Sequence, residues 1–143
     1  MPQHLIKLCV GPGTLSELAA WQAHRLEEKR RAGEVPELSH VTRHMPKRGS
    51  EIIPGGSLYW VIKGWILARQ ALLDLRRVEK HGVPHCALIF DPSLVMVEPR
   101  PRRPFQGWRY LSDTDAPPDM GLWTHDADGS LSLQRELVSL GLL

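Results

Sequence analysis

Four arginines, three prolines and three aromatic rings fall within residues 99–110 (PRPRRPFQGWRY), with no acid among them. Guanidinium forks match the oxygens of a phosphate or carboxylate and also stack on flat rings. Arginines interleaved with aromatics therefore suit a ligand that is both anionic and planar. A second basic stretch lies at residues 42–48 (TRHMPKR). If the fold joins the two, Arg43, Lys47, Arg48, Arg102, Arg103 and Arg109 hold phosphates on one cationic surface, with Arg100 beside them. Tyr59, Trp60, Phe105, Trp108 and Tyr110 then offer stacking platforms, and unpaired bases gain about 1–3 kcal/mol from each such stack. The competing arrangement is structural: Phe105 and Trp108 plug the core, and the arginines pair with carboxylates such as Asp91 and Glu98 or with the acidic C-terminal stretch.

Other chemistry finds weaker support. His40 and His44 are four residues apart, as are His81 and His85, with Cys86 next to the second pair. On a helix that spacing puts both rings on one face. Pro46 follows the first pair and Gly82 and Pro84 interrupt the second, so no metal site is expected. Gly11-Pro12-Gly13-Thr14 lacks the glycine spacing of a phosphate-binding or dinucleotide loop and reads as a turn with a helix cap. An acid–base site would take His44 as base, Lys63 or Arg103 as anion stabiliser, and Asp91 or Glu51 as orienting carboxylate. Nothing in the spacing holds these within hydrogen-bond reach of one another. No cofactor is implied.

The chain has 143 residues, 42% hydrophobic and 24% charged, which is one domain of ordinary globular composition. Its net charge of +2 hides an asymmetry. Residues 1–110 hold 17 Lys and Arg against 10 Asp and Glu, whereas residues 111–143 hold one against six. An acidic stretch of that kind either lies on the basic body as a solvated face or screens an anion site until a polyanion displaces it. Cys9 and Cys86 both lie in apolar runs and are expected to be free thiols, as a reducing compartment requires. The start of the chain lacks a signal peptide's charged and long apolar regions, and the run at residues 58–62 is too short to span a bilayer. A cytoplasmic protein with no membrane partner is expected.

The elements that must position these residues begin with a strand at residues 4–10, broken by Gly11-Pro12-Gly13. Thr14 and Glu17 have capping-box spacing, which predicts a helix to about Ala32 stopped by Gly33, with Leu15, Leu18, Ala19, Ala23 and Leu26 inward. Residues 34–54 show no period and read as a long loop. Residues 57–63 are rich in aromatic and β-branched side chains and predict a strand. Residues 65–78 fit both helical and alternating templates. Only Gly64 is available as a connector, which favours a strand bent or bulged there. Residues 86–90 and 94–97 are apolar throughout and read as buried strands joined as a hairpin by Asp91-Pro92-Ser93. The proline-rich segment that follows reads as an extended surface loop. Residues 113–129 read as loop, and Leu133, Leu137 and Leu140 mark a short final helix.

Taken together, several blocks resemble a family of small bacterial proteins known as domain of unknown function 1489. They are residues 4–11 (HLIKLCVG), Thr42-Arg43 with Pro46-Lys47-Arg48, residues 55–64 (GGSLYWVIKG), Arg69-Gln70 and residues 103–111 (RPFQGWRYL). The resemblance covers nearly the whole chain and implies no activity. A fainter likeness of pattern is to small β-barrel RNA-binding modules of the pseudouridine-synthase-associated (PUA-like) type, in which a Gly-Gly-x-Leu-Tyr strand start also follows a basic loop.

The fold expected is α+β: a single domain over residues 1–143, with a mainly antiparallel sheet or small open barrel packed against one N-terminal helix and a short C-terminal helix. The function expected is a non-catalytic RNA-binding or RNA-associated module. The alternatives are a small enzyme or binding protein for a phosphorylated or carboxylated metabolite, and a protein-interaction scaffold. RNA or another polyanion is the expected partner, and the residues leave the oligomeric state open.

Overall fold

The computed structural model describes residues 3–123. Its first strand, β1 (Gln3–Leu8), alternates between two buried faces: Leu5 and Lys7 point to one, Ile6 and Leu8 to the other. Helix α1 (Leu15–Arg31) follows at once. The Thr14 hydroxyl accepts from the Glu17 N–H at 3.1 Å, and the Glu17 carboxylate accepts from the Gly13 N–H at 2.8 Å. Two otherwise orphaned donors are thereby satisfied, as the spacing predicts. Leu15, Leu18 and Gln22 are the buried residues of α1, whereas Ala23, expected inward, is exposed.

The remaining elements are β2 (Leu38–Thr42), α2 (Gly49–Ile52), β3 (Ser57–Ile62), β4 (Trp65–Lys80), β5 (Val83–Phe90), β6 (Val95–Pro101), β7 (Trp108–Ser112) and β8 (Asp119–Leu122). All eight strands join one sheet, in the order β2-β5-β4-β3-β1-β7, with β6 on β4 and β8 on β6. Among the described residues the sheet stays open, and it is mixed rather than purely antiparallel, because β1 and β3 run parallel. A parallel pair needs a long crossover. The chain from Cys9 to Gly56 supplies it, and this stretch contains α1, β2 and α2. The expected structureless loop at residues 34–54 is thus partly strand and helix.

Strand β4 is the spine. Lys63-Gly64 is a tight turn with φ of 48° and 84°, so the chain reverses there rather than bending on. Residues 65–71 pair with β3, and residues 72–80 pair with β5 through a second two-residue turn, His81-Gly82. β5 and β6 do not form the expected hairpin. They run in series along β4, Val83 opposite Lys80 through to Pro101 opposite Trp65. The Asp91-Pro92-Ser93 corner only kinks this return arm, with the Asp91 carboxylate accepting from the Ser93 N–H at 2.8 Å. The proline-rich segment is correspondingly split. Pro99, Arg100 and Pro101 end β6, residues 102–107 cross over, and Trp108 opens β7. β8 pairs with residues 95–97 of β6 and the Glu98 N–H donates to the Pro118 carbonyl at 2.9 Å; Pro99 and Pro101 follow beyond this paired stretch, where a missing N–H is tolerated. Residues 119–122, expected as loop, form β8. The helix expected near Leu133–Leu140 lies outside the described residues.

Two apolar clusters fill the two faces. The inner one joins α1 to Leu5, Leu58, Trp60, Leu67, Leu88 and Phe90. The outer one holds Ile6, Tyr59, Val61, Ile66, Val97 and Leu111. Cys9 and Cys86 are free thiols.

Candidate functional site

β7 pairs with β1 so that Trp108 stands opposite Lys7 and Tyr110 opposite Leu5, and both rings project to the inner face. The rings meet edge to face at 4.8 Å. Each also grips the chain between β2 and α2. The Trp108 indole N–H donates to the His44 carbonyl at 2.8 Å, and the Arg48 backbone N–H donates to the Tyr110 hydroxyl at 3.1 Å. The Thr42 hydroxyl donates to the same His44 carbonyl at 3.2 Å. These bonds bring the two basic stretches together around a cavity of about 530 Å³. Thr42, Arg43, His44, Met45 and Lys47 line one side, and Gln106 to Tyr110 the other.

The cations divide by partner. Arg43 donates to the Pro84 carbonyl at 2.9 Å, and Arg109 donates to the carbonyls of Gln106 and Trp108 at 2.7 and 3.0 Å. Neither of them, nor Lys47, pairs with a carboxylate among the described residues. Arg48 is different. It holds Glu51 through two 2.7 Å bonds, which keep that carboxyl below its ordinary range, and its guanidinium lies 5.4 Å over the Tyr110 ring. Arg102 and Arg109 both sit on the Phe105 ring, at 5.3 and 5.2 Å, and Phe105 packs against the outer cluster. Arg43, Lys47 and Arg109 line the cavity with Trp108 and Tyr110, Arg102 shares the Phe105 ring with Arg109, and the exposed Arg103 follows Arg102 on the crossover.

Tyr59 and Trp60 lie outside the cavity lining, each 4% exposed. Tyr59 meets His4 edge-on in the outer face, and burial pushes its phenol up to about 12. Trp60 meets His40 and Phe90 edge-on, and its indole N–H donates to Gln70. Neither ring has a free face for a base, so the expected stacking role is withdrawn for these two.

The groups weighed for acid–base chemistry are scattered. Asp91 closes the β5–β6 corner, Glu51 is held by Arg48, and the Lys63 side chain lies against Gly13. His40 faces the core, whereas His44 is exposed in the loop. Among the described residues no group of three His, Cys, Asp or Glu side chains is placed to hold a metal.

Another polar constellation surrounds a cavity of about 360 Å³ on the outer face. His4 Nε2 lies 2.9 Å from Asp113, its Nδ1 accepts from the Ser57 backbone N–H at 2.9 Å, and Arg69 grips Asp119 bidentately at 2.7 and 2.6 Å. The residue types suggest a Ser-His-Asp relay, but the bonds forbid it. Both imidazole nitrogens are committed, and the Ser57 hydroxyl accepts from Arg69 rather than donating to His4. These contacts lock the loop after β7 onto β1 and the start of β8 onto β4, with Ser57 of β3 bonded to both His4 and Arg69.

Sequence reasoning passed over Lys7. It lies on the inner face of β1, with Cys9 just past the end of the strand, and burial holds its amine below the ordinary lysine range. Burial likewise pushes the Cys9 thiol up to about 11, and burial together with the Lys7 charge brings His40 down to about 4. The available signal was a lysine at an inward position of a strand whose two faces are both apolar.

The molecule is thus an α+β domain: an open mixed sheet on one long helix, with a cavity lined by cations and aromatic rings where β7 meets the β2–α2 loop. No helix among the described residues is long and apolar enough to cross a membrane. Residues 5–143 match the family described as "Protein of unknown function (DUF1489)", and the chain belongs to that family. No curated protein and no solved structure matches it.

Proposed function

We propose that this protein is a non-catalytic module that binds single-stranded RNA at the cavity between the β2–α2 loop and β7. One observation carries the reading. Arg43, Lys47 and Arg109 converge with Trp108 and Tyr110 on one cavity, and no carboxylate neutralises them among the described residues. Cations of this kind hold phosphates, the Trp108 ring beside them suits an unpaired base, and Arg102 and Arg103 extend the basic strip along the crossover. The absence of a catalytic role is supported by the scatter of His44, Lys63, Asp91 and Glu51. The test is a fluorescence-anisotropy titration of a labelled single-stranded RNA at several salt concentrations. Three phosphate contacts give a log–log slope of about −2. Arg43→Ala with Lys47→Ala should weaken binding at least about tenfold and flatten the slope by about 1.4. Salt-independent binding, or none, would end this reading.

The size of the cavity favours one second reading, since about 530 Å³ is also the scale of a small-molecule site. In that case a phosphorylated or carboxylated metabolite uses the same cations. Strand length separates the two: RNA affinity grows as nucleotides are added, and metabolite affinity is complete with a single unit.

A further inference from the structure

Lys7 is 9% exposed and makes no hydrogen bond or ion pair among the described residues. Its neighbours across the sheet are Trp60 on β3 and Trp108 on β7. Cys9, the residue after β1, packs against the same inner cluster. His40 approaches from β2, edge-on to Trp60 and near enough to feel the Lys7 charge. The thiol and the imidazole are both held neutral at physiological pH. An ammonium enclosed in this way loses hydration and gains no counter-charge from the described residues, which is destabilising. Such a group makes physical sense where an external anion completes it.

The anion has a route. Trp108 both stands across the ladder from Lys7 and forms a wall of the cationic cavity. Thr42, on the other wall, lies two residues along β2 from His40 and therefore on the same face. Lys7 is not itself in the lining of that cavity but stands next to Trp108, which is. On the far side of Lys7 stands Trp60, 4% exposed, so a group that reaches the amine past Trp108 has no exit through that neighbour. An internal phosphodiester needs one opening for the strand to enter and another to leave. A terminal phosphate needs only one, and its second negative charge strengthens its attraction to a desolvated amine.

We propose that Lys7 is the seat of a strand-terminal phosphomonoester, so that the cavity receives an RNA end rather than a passing strand. This rests on the RNA reading above. The end phosphate takes the ammonium, the first base lies along Trp108, and the following phosphates run out past Arg43 and Lys47.

The experiment compares one short single-stranded RNA in three forms, carrying a 5′ phosphate, a 3′ phosphate or hydroxyls at both ends. Adenosine 5′-monophosphate is a fourth ligand, and the proteins are wild type, Lys7→Met and Lys7→Gln. Wild type should prefer one phosphorylated end over the hydroxyl-ended strand by about ten- to a hundredfold, the range of a charge-assisted hydrogen bond. Both variants should lose that preference while binding the hydroxyl-ended strand within about twofold of wild type. Lys7→Met should also melt several degrees higher than wild type, because it removes an unpaired buried charge. A lysine kept only for packing would give a lower melting temperature and leave the preference in place. Equal affinity of wild type for all three strands, with salt dependence intact, would overturn the terminal seat and leave the RNA reading standing. Salt-independent binding or none would end both. Adenosine monophosphate bound as tightly as the strand, and dependent on Lys7, would support the seat and overturn RNA as its source. If both variants fail to fold, the wild-type comparison of the three strands still decides.

Discussion

Gln70 is fully buried, and each part of its amide is used. Its carbonyl oxygen accepts from Gln22 at 2.9 Å and from the Trp60 indole at 2.8 Å. Its nitrogen donates to Gln22 at 2.8 Å and to the Asp91 carbonyl at 3.1 Å. One side chain thus ties α1, β3, β4 and the β5–β6 corner together. Gln70→Leu strands the Trp60 N–H and both ends of the Gln22 amide, and should cost about 2–4 kcal/mol in urea denaturation. Gln22→Leu leaves Gln70 two of its partners and should cost about half as much. A neutral Gln70→Leu would show that the network holds nothing. His40 makes the fold acid-sensitive. Burial keeps it neutral down to about 4, whereas the unfolded chain takes up that proton near 6.5. The unfolded state then binds more protons throughout that window, so stability falls as pH drops from about 6.5 to about 4, by up to about 3 kcal/mol. Other acid-sensitive groups contribute as well, Asp119 among them, with its carboxyl held low by Arg69. The difference in urea midpoint between wild type and His40→Gln across pH 4–7 isolates the histidine, and parallel curves would refute its role.

The close approach at Gly56 decides how β3 begins. A Cβ there would stand 2.3 Å from the Gln3 carbonyl oxygen and 2.5 Å from that of Ile52, both backbone atoms that cannot swing aside. Gly56→Ala must push the start of β1 or the end of α2 away, and should cost about 3 kcal/mol or more in chemical denaturation. Gly13→Ala, whose Cβ meets only the flexible end of Lys63, is the contrasting control and should cost less than about 1 kcal/mol. These contacts also show what the sequence does and does not reveal. α1 is legible because Thr14, Glu17 and Gly33 are local signals, and β3 because its aromatic and β-branched run is unambiguous. β2 is hidden because its five residues turn Ser39 and Val41 out and a histidine in, which blurs the alternation. The two tight turns use Lys63 and His81 where asparagine or aspartate would have announced them. The parallel pairing of β1 with β3 is invisible, because alternation says which face is buried and nothing about which strand lies alongside. Lys7 escaped for a related reason: only the pairing places it between Trp60 and Trp108.

At the scale of the whole molecule, the convergence of the two basic stretches was an expectation of composition, and the bonds from Trp108 and Tyr110 supply its mechanism. Charge acts over longer distances than those bonds. Residues 1–110 carry a net +7 and residues 111–143 a net −5, so an approaching polyanion meets a field weakened by the chain's own acids. Asp126, Asp128 and Glu136 lie outside the described residues, yet their charges count at any position within a Debye length of the cavity, about 8 Å in physiological salt. Changing all three to their amides raises the net charge from +2 to +5 without touching Arg43, Lys47 or Arg109. Association with single-stranded RNA should then speed up several-fold at low ionic strength, with little change in dissociation, since long-range steering acts on the encounter. The gain should vanish near 1 M salt, where the Debye length falls to about 3 Å. Stopped-flow anisotropy at the two ionic strengths reads both rates. An unchanged association rate at low salt would mean that the acids lie too far from the cavity to matter. A slower dissociation that persists at high salt would mean instead that they occupy it directly, as a competitor the RNA must displace.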